Sequence, residues 1–207
     1  MERKEVIFVL LEQFADWEAS FLNIALNMGT RPGRPVKYKV KTLSLTGNTA
    51  TSGGGFKVIT DYNLSTVPED YAGIILIGGM TWEAEHNLKL LPLIRQAVEK
   101  GVVVAGICMA SVFLGMHGFL NNVKHTSNTL EFLKKLAGDK YTGEANYIHQ
   151  QAVSDKNIVT ANGTGYLEFT REVLLALNVD TPEEIEEYYD FNKLGLCELT
   201  NRGIKIF

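Results

Sequence analysis

The sequence predicts an α/β fold, a mostly parallel β-sheet with helices on both faces. Three observations lead there. Apolar β-branched runs alternate with amphipathic stretches along the chain, the pattern of strands separated by helices. The run Gly73-Ile74-Ile75-Leu76-Ile77 is apolar throughout and stops at Gly78-Gly79. No repeat, low-complexity segment or linker interrupts the alternation, so residues 1–207 are expected to form a single domain.

The elements follow in order. Residues 6–11 are an apolar strand, and residues 17–28 have a helical pattern with Asp16 as N-cap. Thr30-Arg31-Pro32-Gly33-Arg34-Pro35 is a loop by composition. Residues 38–45 alternate at period two and predict a strand. A turn at Thr51-Ser52-Gly53-Gly54-Gly55 leads into a short strand over 56–60. Segments 38–45 and 56–60 are expected to form an antiparallel excursion at an edge of the sheet. After the 73–77 strand, residues 88–100 predict a helix closed by Gly101. A strand over 102–106 runs into a turn at Cys108 and a helix over 109–116. Helices over 129–136, 168–177 and 182–191 and a strand over 157–161 complete the pattern.

Composition narrows the function. The 207 residues are 45% hydrophobic and 21% charged, ordinary for a soluble globular protein with a sizeable core. A net charge of −4 argues against nucleic acid or an anionic membrane as the main partner. No apolar stretch approaches the roughly 20 residues needed to span a bilayer, and the first strand is too short for a signal peptide. Cys108 and Cys197 are the only cysteines, which predicts a reducing, cytoplasmic setting rather than a disulfide framework.

Chemistry concentrates in Gly106-Ile107-Cys108-Met109-Ala110-Ser111. A strand that turns sharply into a helix exposes one side chain at the top of a sheet. The helix N-terminus then favours thiolate over thiol, so Cys108 is a candidate nucleophile. Attack on a carbonyl needs N–H donors for the oxyanion. The Met109 amide is one, and Gly79 or Met80 offers another. Gly78-Gly79 allows close backbone approach to a ligand, though it also serves simply to turn the chain. Glu18, after the first strand, is either a first-turn acid on the helix dipole or a buried, protonated carboxyl hydrogen-bonded to the Cys108 sulfur. These three features share the C-terminal ends of strands, where open α/β sheets bind ligands.

With the first strand and Glu18, the Ile74-Ile75-Leu76-Ile77-Gly78-Gly79 block and the Gly106-Ile107-Cys108 elbow, the chain resembles the ThiJ/PfpI superfamily of the class I glutamine-amidotransferase-like fold. Gly118-Phe119-Leu120, Val123-Lys124-His125-Thr126-Ser127-Asn128 and Asn157-Ile158-Val159-Thr160-Ala161-Asn162-Gly163-Thr164-Gly165 continue the resemblance, which covers residues 5–177. It implies a flavodoxin-like three-layer sandwich, an acid–cysteine pair and a homodimer. Activities in the superfamily include peptidase, glyoxalase or deglycase, isocyanide hydratase, chaperone and oxidative-stress sensor, so the fold does not settle the function.

The chain departs from that pattern at its histidines. Peptidase-like members carry histidine directly after the nucleophile, where this chain has Met109. Others place it at the position of Asn128, three residues after His125. Glutaminase domains use a late His-X-Glu pair, replaced here by Tyr166-Leu167-Glu168. His125 is the candidate base, with water as the alternative. Trp82 is a candidate wall of the pocket or a packing residue. Cys197 is a small apolar residue or a resolving thiol. No metal or cofactor is implied by the residue spacing. Two readings follow: a Cys108-dependent enzyme on a small carbonyl- or amide-like substrate, or a non-catalytic redox or stress sensor using an oxidisable Cys108.

Overall fold

In a computed structural model of the chain, residues 2–45 and 47–203 are described. The strands are β1 (Lys4–Val9), β2 (Tyr38–Leu43), β3 (Thr49–Thr51), β4 (Lys57–Ile59), β5 (Gly73–Leu76), β6 (Val103–Ile107), β7 (Ala152–Asp155) and β8 (Ile158–Ala161). The helices are α1 (Asp16–Met28), α2 (Leu91–Glu99), α3 (Met109–Met116), α4 (Leu130–Ala137), α5 (Tyr166–Ala176) and α6 (Pro182–Asn201). Six strands form one sheet in the order β2-β1-β5-β6-β8-β7. All its pairings are parallel except β7 with β8. This is the mostly parallel α/β sheet that the alternating pattern predicts, in the flavodoxin-like form that the resemblance implies.

Strand alternation divides the core in two. Val6, Phe8, Ile75, Ala105 and Ile107 face one way and pack with Leu22, Leu26, Phe169 and Val173. Ile7, Val9, Ile74, Leu76 and Val104 face the other way and pack with Ile94, Ala97, Phe113 and Leu133. Successive side chains on a strand point to opposite faces, so α1 and α5 cover one face while α2, α3 and α4 cover the other. β5 and β6 are buried along their whole length, which is why they read as continuous apolar runs.

Local chemistry sets the helix ends. The Thr129 hydroxyl accepts from the Phe132 N–H and caps α4. Thr181 and Glu184 form a capping box on α6. After α2, Gly101 takes φ +69°. Its N–H meets the Val98 carbonyl and the Val102 N–H meets that of Ala97, a Schellman closure.

The structure corrects several boundaries. Asp16 is the first residue of α1 and Ala15 is the N-cap. The Asp16 carboxylate instead accepts from the Gly54 N–H at 2.9 Å. Segments 38–45 and 56–60 do not pair as an edge excursion. β2 lies parallel to β1, Lys4 opposite Tyr38 through Val9 opposite Leu43, because the intervening α1 is the crossover that a parallel pair needs. β4 pairs antiparallel with β3 in a separate two-stranded sheet. β7 carries no strong sequence signal, and its connection to β8 turns on Lys156 at φ +54° where glycine is the usual residue. Residues 85–90 form a 3-10 turn, and α2 starts only at Leu91. The last helix runs on to Asn201 through a kink at Gly195, φ +77°. Among the described residues no helix is long and apolar enough to cross a membrane.

Candidate active site

β6 ends at Ile107, and the next residue makes the turn into α3. Cys108 has φ +57° and ψ −127°, a conformation that costs a non-glycine residue about 1–3 kcal/mol. The surroundings hold it there. Its N–H donates to the Ala161 carbonyl of β8 at 3.0 Å. Its carbonyl accepts from the Ser111 hydroxyl at 2.7 Å. The elbow that the sequence predicts is formed, and the Met109 amide at the start of α3 faces the sulfur.

Glu18, in the first turn of α1, is 1% exposed. Its carboxyl lies against the Cys108 thiol and the Gly78 amide, yet Oε2 makes no full hydrogen bond. Burial raises the carboxyl to about 7. Burial, reinforced by the Glu18 charge, pushes the Cys108 thiol up to about 11. That corrects the expectation of an acidic thiol: the amide at the helix N-terminus favours thiolate, but desolvation and a neighbouring carboxylate outweigh it. Two negative charges are disfavoured so close together, so the pair gives up its first proton near neutrality and its second only well above it.

Two glycines make room for this pair. A Cβ on Gly78 would collide with the Glu18 carboxyl and stand 2.6 Å from the Cys108 Cβ. A Cβ on Gly163 would stand 2.9 Å from the Cys108 Sγ and 3.4 Å from Glu18 Oε1. Asn128 reaches in between α3 and β8. Its Nδ2 lies 3.7 Å from the Cys108 Sγ, and its Oδ1 accepts from the Gly163 N–H at 3.0 Å. Trp17 closes one side, its indole N–H donating to the Gly163 carbonyl at 3.4 Å.

Residues 4–176 match the DJ-1/PfpI family. The chain belongs to that family. It is 38% identical over 199 residues to the "Uncharacterized protease YdeA" of Bacillus subtilis, covering 96% of each chain. The "Uncharacterized protease YoaZ" of the same organism is 33% identical, with 93% of this chain and 92% of YoaZ covered. Among solved structures, a thiJ/pfpI family protein from Bacillus anthracis superposes with a TM-score of 0.86 at 34% identity, over 99% of both chains. The DJ-1 superfamily protein Atu0886 of Agrobacterium tumefaciens gives 0.80 at 33% identity, over 92% of this chain and 98% of its own.

In this DJ-1/PfpI chain the other predicted site residues fall in different places. His125 is fully buried. Its Nδ1–H donates to the Val123 carbonyl at 2.8 Å, which leaves Nε2 to accept from the Tyr141 hydroxyl at 2.7 Å. With both ring nitrogens engaged and burial lowering its pKa, His125 is a neutral structural residue here, not a base at the thiol. Trp82 is also core, 1% exposed, bonded to the Ile77 carbonyl at 2.8 Å and packed on Phe113. It does not wall the site. Met80 points outward, and its N–H is taken by the Gln13 carbonyl at 3.3 Å. Gly79 packs on the same segment, where a Cβ would stand 2.6 Å from Gln13 O.

Glu168 anchors α6. Despite burial, hydrogen bonds from Lys193 and Tyr189, both at 2.8 Å, hold its carboxyl below the usual range. Cys197 is an exposed free thiol on α6. Among the described residues no His, Cys, Asp and Glu cluster is built to hold a metal.

A cavity of about 360 Å³ is lined by Thr126, Asn128, His149, Gln151 and Asn162 among others, with neither Cys108 nor Glu18 in its wall. Asn128 is the residue that joins it to Cys108. A smaller cleft of about 170 Å³ lies by Glu12 and His86. Sequence reasoning missed Trp17 and the space-making role of Gly163. The only signal was the small-residue block Ala161-Asn162-Gly163-Thr164-Gly165 at the end of a strand.

Proposed function

We propose that the chain is a cysteine-dependent enzyme on a small, polar carbonyl compound, with Cys108 as nucleophile and Glu18 as its proton partner. One observation carries this: the thiol sits on a strained elbow with a buried carboxyl directly against it. A core cysteine needs neither feature, and strain concentrates where function requires it.

The chemistry needs no histidine. Sγ adds to the carbonyl carbon, the thiol proton passes to the Glu18 carboxylate, and the C=O electron pair moves to oxygen. The Met109 and Asn128 N–H groups lie beside the sulfur and are the donors this reading assigns to the new charge. Glu18 returns its proton to that oxygen and completes a hemithioacetal. From an α-oxoaldehyde, the carboxylate then takes the C–H proton next to sulfur and delivers it to the neighbouring carbon, while the hydroxyl proton passes through the enediol to the neighbouring oxygen. The resulting thioester is hydrolysed by water to a hydroxy acid, and the thiol is restored. This glyoxalase-type sequence is redox-neutral overall. Peptide hydrolysis fits less well, because Met109 has no basic atom to activate a water or protonate an amine. The polar lining next to Asn128 suits a small hydrophilic substrate.

Steady-state assays with methylglyoxal, an isocyanide and a peptide test this reading, with Cys108→Ser and Glu18→Gln as controls. Methylglyoxal turnover is expected to fall at least about a hundredfold in each variant. Absence of Cys108-dependent turnover on all three overturns it. The reading carries with it a cytoplasmic homodimer of single-domain subunits, which fractionation and sedimentation measure.

Redox sensing is the second reading, favoured by a carboxyl placed to hydrogen-bond an oxidised Cys108 sulfur. Mass spectrometry after mild peroxide treatment separates the two. A sensor oxidises at Cys108 ahead of the exposed Cys197. Equal or slower oxidation at Cys108 removes this reading.

A further inference from the structure

The Asn128 side chain has a fixed sense. A backbone N–H only donates, so the Gly163 N–H at 3.0 Å requires the amide oxygen on its side. The NH₂ group is thereby turned toward the Cys108 Sγ at 3.7 Å and the Met109 Sδ at 4.0 Å. Gly163 is held in turn by the Trp17 indole on its carbonyl. Asn128 immediately precedes Thr129, the cap of α4, so its backbone is anchored as well.

Two sets of groups compete for the negative charge of the pair. Glu18, the titratable group that faces the thiol, has the Gly78 amide against its carboxyl. The sulfur has the Met109 amide from α3 and the Asn128 amide from the loop before α4. The two donors at sulfur come from different elements, and neither titrates.

We propose that Asn128, locked by the Gly163 N–H, is a catalytic hydrogen-bond donor that stabilises the Cys108 thiolate formed when the thiol proton passes to Glu18. Gly163 is the positioning residue that sets the donor's direction. Thiolate beside carboxylic acid is the form that attacks, and a group with no pKa of its own in the working range faces the sulfur to lower the cost of reaching it. The donor is consequently present at every pH at which the protein is folded. This deepens the nucleophile reading above, but it is tested without a substrate.

The experiment is the pH dependence of Cys108 alkylation by iodoacetamide, measured in a Cys197→Ser background. Asn128→Asp keeps an oxygen for the Gly163 N–H and replaces the donor at sulfur by an acceptor with charge. Asn128→Ala removes both. Alkylation at pH 7 is expected to slow about tenfold or more in Asn128→Asp and severalfold in Asn128→Ala, with the rate profile displaced to higher pH. Thermal melts confirm that both variants are folded, and Asn128→Gln provides a further donor-bearing variant if Asn128→Asp does not fold. Profiles that coincide with the parent overturn the proposal. A displaced profile together with absent turnover of methylglyoxal supports the donor role and rejects only the enzymatic reading.

Discussion

Gly78 stands against Glu18 with no room for a methyl group between them. The absence of a side chain at the end of β5 is what lets the α1 carboxyl reach the β6 cysteine. Gly78→Ala therefore drives the carboxyl away from sulfur. The expected result is a loss of Cys108-dependent turnover of about tenfold or more and destabilisation of about 1–3 kcal/mol. Steady-state kinetics and urea denaturation measure the two together. Unchanged values for both contradict the fit described for this pair.

Glu18 gives stability a pH dependence of definite sign. Burial raises the carboxyl from 4.5 to about 7. Between those values the folded chain keeps a proton that the unfolded chain has released. The stabilisation is whole below about 4.5, falls as pH rises, and is gone above about 7. Glu18→Gln cannot ionise. Relative to the parent it is expected to gain up to about 3 kcal/mol at pH 8 and almost nothing at pH 4. Urea midpoints at pH 4, 6 and 8 provide the check, and a constant difference between the two proteins contradicts it.

Tyr141→Phe isolates the structural role of His125. The variant removes the hydroxyl that donates to Nε2 and leaves a buried ring nitrogen unpaired. The expected cost is about 1–3 kcal/mol of stability. Turnover below the melting transition stays within about twofold of the parent, because transition-state contacts are untouched. A selective collapse of kcat with unchanged stability places His125 back in the chemistry.

Cys108 itself offers a test of stored strain. At φ +57° a glycine is at ease and an alanine is not. Neither Cys108→Gly nor Cys108→Ala keeps the thiol. The glycine variant is expected to be more stable than the alanine variant by about 1 kcal/mol. Differential scanning calorimetry of the two settles the order, and a more stable alanine variant means the elbow is not strained.

Much of this was legible in the residues. Strand β5 announces itself because a fully buried strand has no polar face. The elbow does so because a lone cysteine between a β-branched run and a helical pattern falls where a strand-to-helix turn exposes its side chain. The acid was legible only as a pair with the thiol, since first-turn Glu18 looks like any helix-dipole acid. The histidine was misplaced for a physical reason. His125 and Asn128 are close in sequence but the chain bridges to Tyr147 at His125, and that turns the ring toward Val123 and Tyr141 instead of the sulfur. Trp82 likewise stands close to the diglycine in sequence, but its indole folds back under β5. β7 was invisible because its turn relies on Lys156 in a conformation that composition does not advertise. The thiol's raised pKa was unreadable because burial, which outweighs the helix N-terminus, has no sequence signature of its own.

The hydrogen bond from the Cys108 N–H to the Ala161 carbonyl has a temporal meaning. A chain emerging from the ribosome presents Cys108 long before β8 exists to close its turn. Until then the thiol has neither the elbow, nor Asn128, nor Gly163 around it, and it reacts as a cysteine in any unfolded peptide. Parallel pairings between distant segments are slow to form. The pair of Glu18 and Cys108 is thus complete only once β8 and the turn at Gly163 have docked, and a molecule lacking them carries a solvated thiol without the burial that raises Cys108.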